Sequence, residues 1–160
     1  MLIGQINTNI LEKIQIVVFL VEKDLYGVNL LSLDEIVPMM LTRPVPKAPE
    51  FLEGVINLRG EIIPVVDLKK IFGYARDGFP LESRILIARV ASKKIGFMVD
   101  AVTEIKEITK DSLTPDVFRP EQAHFFEGMA KLEDGQMVQM LAMEKILDEQ
   151  HLQPLLKLEL

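Results

Sequence analysis

The chain has 160 residues, 49% of them hydrophobic and 26% charged, with a net charge of −6 and a mean hydropathy of +0.23. That is enough apolar surface for one domain, or for two small ones sharing a core, and it excludes disorder as the dominant state. No apolar run reaches the ~18 residues a membrane helix needs; the absence of Cys removes disulfides and thiol chemistry; and Lys plus Arg, outnumbered 7 to 9 up to Tyr74 and 11 to 15 after it, build no basic face for nucleic acid.

The first residues, Met1 to Asn9, lack the basic start and small-residue cleavage site of a secretory signal, so a cytoplasmic setting is expected. Ile14 to Val21 is β-branched and apolar, breaks at Glu22-Lys23-Asp24 and resumes at Leu25 to Val28, which is the pattern of a hairpin. Leu30 to Ile36 continues as apolar chain up to Pro38. Pro44, Pro46 and Pro49 then fix φ repeatedly and withhold backbone donors, which predicts an extended loop with a helical turn at Pro49 to Leu52. A second hairpin, Val55 to Leu58 and Glu61 to Val66, turns at Arg59-Gly60. Pro64 is confined there to an edge or a bulge, because it cannot donate to a ladder. Asp67 is placed to cap a short helix, Leu68 to Phe72, closed by Gly73 in a left-handed conformation, and Tyr74 to Ser83 reads as a connection.

Arg84 to Val90 and Ile95 to Val99 form the next hairpin, across Ala91 to Lys94. Val99, Val102, Ile105 and Ile108 recur every three positions, which favours a helix, whereas an internal echo favours a strand; the strand is the reading adopted. Asp111 to His124 is expected as loop, Glu133-Asp134-Gly135 as a hairpin turn and Met143 to Leu147 as a closing helix. The Leu-rich tail, with Pro154 inside it, is expected to dock on the body.

The echo is the main organising signal. FLEGVINLRGEIIPVVDLKKIFG, from Phe51, returns in degraded form as FFEGMAKLEDGQMVQMLAMEKI from Phe125, with Gly54 answering Gly128, Gly60 answering Gly135 and Ile71 answering Ile146. Tyr26-Gly27 through Glu35-Ile36 is likewise answered by Ile95-Gly96 through Glu104-Ile105. Repetition of this kind predicts an all-β fold of two related sub-barrels in tandem, one over residues 14–83 and one over 84–147, with a tail at 148–160.

Little catalytic equipment is present. His124 and His151 are the only imidazoles, in a loop and the tail, without a second ligand at helical or hairpin spacing, so neither a metal site nor a cofactor is expected. The nine glycines sit singly at turns rather than in a phosphate loop. Asp67 and Asp100 are a conceivable carboxylate pair, though capping and turn roles account for each. Met39-Met40 suit either the core or an adaptable contact surface, while Met129, Met137, Met140 and Met143 suit core filling. Arg59, at the tip of an apolar hairpin, is either a solvated turn residue or an anchor for a carboxylate.

The string GVINLRGEIIPVVDLKKIFG, preceded by the proline loop and YGVNLLSLDEI and followed by IGFMVDAV, resembles the CheW family of bacterial chemotaxis coupling proteins, from Ile14 to Leu147. The resemblance implies two SH3-like five-stranded β-barrels sharing a hydrophobic core, and a non-enzymatic adaptor. Its partners would be a CheA-type histidine kinase and the cytoplasmic hairpin of methyl-accepting chemoreceptors, met at membrane-associated arrays without direct membrane insertion. It implies a receptor groove at Glu35, Ile36, Gly54, Arg59, Val99, Asp100 and Val102, with Arg59 as an anchor paired to Glu35. Kinase contacts would fall on Leu41, Arg43 and Val45 in the proline loop, and on Pro115, Val117 and Phe118 in the second loop. The second copy has Lys131-Leu132-Glu133-Asp134-Gly135 in place of Asn-Leu-Arg-Gly, so the two faces differ chemically, and the tail after Gln150 matches nothing in the pattern. No receiver domain follows and no kinase module precedes, which points to the single-domain couplers. Coupling in another chemosensory pathway, such as pilus motility, is the alternative within the family; a small-molecule-binding barrel, or an enzyme using Asp67 and Asp100, are the alternatives outside it.

Overall fold

The computed structural model describes residues 12–114 and 123–158. The first hairpin joins β1 (Lys13–Val21) to β2 (Asp24–Asn29); a 3-10 turn at Leu30–Ser32 leads to β3 (Leu33–Pro38), and the proline stretch returns as β4 (Leu52–Leu58), paired with β5 (Glu61–Asp67). After α1 (Leu68–Ile71) come β6 (Arg84–Val90), β7 (Lys93–Val99), β8 (Ala101–Thr109), β9 (Leu113–Thr114), β10 (Phe126–Lys131), β11 (Met137–Leu141), α2 (Met143–Ile146) and α3 (Glu149–Leu156). One sheet runs β8-β1-β2-β11-β10-β9 and the other β3-β6-β7-β5-β4. Apart from the two-residue β9, each has five strands. This is the all-β class anticipated from the sequence, two SH3-like barrels with short helices at the strand ends.

The barrels are not the sequence halves expected at 14–83 and 84–147. β1 and β2 pair with β8 and β11, and β6 and β7 pair with β3 and β5. Each half sends its leading hairpin into one barrel and its later strands into the other. A hairpin alone leaves two unpaired edges, and strands of the opposite repeat satisfy them. The echo therefore marks equivalence of position, not membership of one barrel.

This interlocking explains why the strands read as unbroken apolar runs. Ile16 and Val18 point into the first barrel with Ala130, Val138 and Met140, while Val17 and Phe19 point the other way, onto a core shared with Leu86, Ala88, Phe97 and Val99. β6 does the same: Ile85 and Ile87 fill the second barrel with Ile56, Ile63 and Met98, and Leu86 and Ala88 face the shared core. A strand buried on both faces has no solvent side to mark with polar residues. Gly27 and Gly96 occupy equivalent parallel crossings in the two barrels; a Cβ there would lie 2.8 Å from Met140 Sδ and 2.7 Å from Ile85 Cγ2 respectively.

A bulge accounts for the three-residue step from Val102 to Ile105 in β8, whereas Ile108 turns to the opposite face, into the first barrel. Val102 opposes Phe19 and Glu104 opposes Val18, which leaves Thr103 unpaired, its hydroxyl donating to the Val18 carbonyl at 3.2 Å. The extra residue shifts the in–out alternation by one. Matching bulges fall at Asp34, Glu53 and Glu127. Pro64 lies on an interior strand, yet its missing N–H breaks no ladder. Its partner Val55 exchanges both backbone bonds with Arg43, at 2.8 and 2.9 Å, and β7 joins β5 only from Val65 onward. The β6–β7 turn is tighter than the four residues expected, two left-handed residues at Ala91 (φ 51) and Ser92 (φ 67). Among the methionines, Met39 and Met40 pack against the second barrel's interior and Met140 and Met143 are buried, whereas Met137 is exposed.

Candidate functional site

The β4–β5 turn carries left-handed Arg59 (φ 52) and Gly60 (φ 87), the type I′ geometry that matches the strands' twist, and Asn57 Oδ1 accepts from the Gly60 amide at 2.9 Å. Arg59 Nη2 donates to Glu35 Oε1 on β3. β3 and β4 are the two ends of the second sheet, so this ion pair reaches across the barrel's closure. The Arg59 side chain is 69% exposed and that of Glu35 27%. Such an exposed pair contributes roughly 0–1 kcal/mol to folding, and the guanidinium keeps donors free for an outside carboxylate.

Ile36 on β3 and Val102 on β8 both pack against the shared core while staying partly exposed, so each marks where that core reaches the surface of its barrel. Val99 is different: at 1% exposure it is closed within the core and supports the surface rather than contributing to it. Gly54 is also architectural. Its φ is 151, and a Cβ would stand 2.5 Å from the Arg43 carbonyl oxygen, because the proline loop is bonded to β4 at that point. Along that loop Leu41 is 96% exposed, the Arg43 side chain is exposed and Val45 turns inward onto the shared core. Pro115, Val117 and Phe118 lie outside the described residues.

Asp100 sits where the chain passes from β7 in the second barrel to β8 in the first. Its amide donates to the Leu20 carbonyl at 2.9 Å, and its Oδ2 accepts from the Glu22 amide at 2.8 Å. Its other oxygen, Oδ1, accepts from Arg76 Nη2 at 3.1 Å. Arg76 simultaneously holds Asp67 in a fork, Nε to Oδ2 at 2.5 Å and Nη2 to Oδ1 at 2.9 Å, while Asp67 Oδ1 caps α1 through the Lys69 amide at 3.0 Å. Asp67 and Asp100, a conceivable acid pair in the sequence, are thus brought together through a shared cation. Burial opposes the charge on Arg76, but hydrogen bonds and attraction from Asp67, then Asp100, outweigh it and raise its pKa. Nearby, the Lys69 ammonium bonds Glu22 at 2.7 Å, and that hydrogen bond raises its pKa too. In the sequence Arg76 lies in the connection from Tyr74 to Ser83, which carries no motif. The signal available was a lone guanidinium in a short segment between two strand-ending aspartates.

His124 and His151 line one cleft of about 500 Å³ with Asp24, Tyr26, Phe72 and Asp148. Among the described residues no set of three His, Cys, Asp or Glu is arranged to hold a metal, and no helix is long and apolar enough to cross a membrane.

Comparison with known proteins places this architecture. The model of the CheW-like domain matches residues 15–151, nearly the whole chain. The chain belongs to the CheW-like family. It is 32% identical over 139 residues to the chemotaxis protein CheW of Thermotoga maritima, covering 87% of this chain and 91% of that one, and 28% identical over 153 residues to CheW of Treponema pallidum, covering 92% and 89%. The crystal structure of a CheW scaffolding protein from Thermoanaerobacter tengcongensis superposes with a TM-score of 0.78 at 38% identity, covering 86% of this chain and 94% of that one. Membership makes the chain a non-enzymatic chemotaxis adaptor, a scaffold built on two barrels.

Proposed function

We propose that this chain works in the cytoplasm, at membrane-associated receptor arrays, by holding a CheA-type histidine kinase against the cytoplasmic hairpin of methyl-accepting chemoreceptors. The observation that carries this reading is the Arg59–Glu35 pair, a largely solvated guanidinium held on a turn beside partly exposed apolar residues. A receptor helix offering apolar side chains and a carboxylate complements Ile36, Val102 and Arg59; Asp100 and Val99 brace that surface from beneath, and Gly54 sets the loop beside it. The kinase surface is assigned to Leu41 and Arg43, exposed on the proline loop, with Val45 pinning the loop to the core, and to Pro115, Val117 and Phe118. Two such patches of about 800 Å² each fit an interface of ordinary size.

The test is a pull-down with purified kinase and receptor fragments, together and apart. Arg59→Glu is expected to abolish receptor capture while the melting temperature stays within a few degrees, since the pair adds little to folding. Leu41→Glu is expected to weaken kinase capture and leave receptor capture intact. A wild-type chain that retains neither partner would end the proposal.

A further inference from the structure

The two barrels meet along two equivalent seams, and among the described residues one of them is clasped from within by a side-chain network. At the first seam lies the Arg76 network. Arg76 belongs to the connection between α1 and β6, yet its side chain is only 4% exposed, against 0% for Asp67 and 13% for Asp100. Asp67 ends β5 in the second barrel, and Asp100 is bonded to Leu20 and Glu22 of the first. One planar guanidinium therefore spans both bodies, and its remaining donor, Nη1, bonds the Gly78 carbonyl at 3.0 Å while Phe79 lies 5.1 Å from its centre. At the second seam the internal echo sets Leu31 in the place of Asp100 and Ala142 in the place of Asp67. There Leu31 is 91% exposed, Ala142 gives α2 no side-chain cap, and both residues border an open cleft of about 300 Å³. Without a shared cation, two nearly buried carboxylates would stand side by side unpaired, an arrangement that repels and forces the seam apart.

We propose that Arg76 is a positioning residue that fixes the angle between the barrels by clasping Asp67 and Asp100 at one seam. Its consequence for receptor binding rests on the adaptor reading above, because Ile36 and Val102 belong to different barrels. The clasp itself does not rest on it.

The chain has no Cys, so engineered cysteines can carry spin labels without background. Glu61→Cys with Glu133→Cys measures a distance between barrels, and Glu61→Cys with Arg89→Cys one within the second barrel. Arg76→Gln is expected to broaden the first distribution and leave the second unchanged, a split that general destabilisation would not produce. Arg76→Lys keeps the charge, and so the fold, but an ammonium cannot fork onto one carboxylate while reaching the other, so the same broadening is expected. If about a tenth of the molecules then hold the competent angle, the Kd for a receptor fragment rises about tenfold. An unchanged distance between barrels in the Lys and Gln variants overturns the proposal. Should the unsubstituted chain bind no receptor fragment, the adaptor reading fails and the distances still decide the clasp.

Discussion

Gly54 and Gly60 answer different constraints although both lie in one hairpin. At Gly60 the turn needs φ 87 but leaves space around the missing Cβ, so Gly60→Ala is expected to lose about 1 kcal/mol, the cost of a left-handed alanine. At Gly54 a φ of 151, which side-chain-bearing residues rarely adopt, combines with a backbone oxygen 2.5 Å from the added Cβ, and Gly54→Ala is expected to lose more than about 2 kcal/mol in urea unfolding. Equal losses would mean that the proline loop yields. Glu53, the bulge residue beside Gly54, has its pKa raised above 4.5, chiefly by burial, with Lys70 opposing. A carboxyl that holds its proton more tightly folded than unfolded contributes stability at low pH, and loses it as pH rises through the ordinary carboxylate range toward the folded value. Glu53→Gln is therefore expected to melt higher than the wild type at neutral pH, with the difference vanishing below about pH 4. An advantage that persists in acid would refute the assignment to ionisation.

The helix α3 was the element least legible in the chain. The sequence shows only a Leu-rich tail that docks on the body and, after Gln150, matches no family pattern; in the structure Asp148 caps a helix by accepting from the His151 amide at 2.8 Å, Lys93 Nζ bonds the Leu155 carbonyl at 2.8 Å, and Leu155 is fully buried. Pro154 stands third from the C-terminal end of this eight-residue helix, so it withholds a single ladder bond, to the Gln150 carbonyl, while the Leu152 amide still reaches Asp148 and the Lys157 amide Gln153, at 2.8 and 3.2 Å. Leu155→Ala is expected to cost about 2–4 kcal/mol, the usual range for a buried leucine, measured by urea unfolding. A loss below about 1 kcal/mol would show that the tail lies on the core without joining it. The β1–β2 and β4–β5 turns, by contrast, were legible in place, although β4 begins at Leu52 rather than Val55. β1–β2 and β4–β5 pair locally across short turns, so their signals lie within a few residues of each other. The bulge in β8 was not, because a single unpaired residue imitates a helical spacing unless the partner strand is seen.

At the scale of the molecule, each barrel contains strands from both repeats, so neither repeat is a folding unit. Residues 1–83 and 84–160 produced separately are expected to give collapsed amide spectra, and a mixture of the two to give the dispersed spectrum of the intact chain. A folded isolated half would contradict the interlocked pairing. Composition, the internal echo and the hairpin motif were sufficient, with the family resemblance, to determine an all-β adaptor of two related barrels, because those features depend on residue type and near-neighbour order. Arg59 was legible as an anchor for Glu35 only through the resemblance, and the structure supplied the contact. What the tertiary structure alone decided was which strands share a barrel, that Val99 is enclosed, and that Asp67 and Asp100 meet through Arg76. Each is a relation between residues remote in the chain, fixed by strand edges seeking partners and buried charges seeking counter-ions, and no local pattern encodes the outcome of that search.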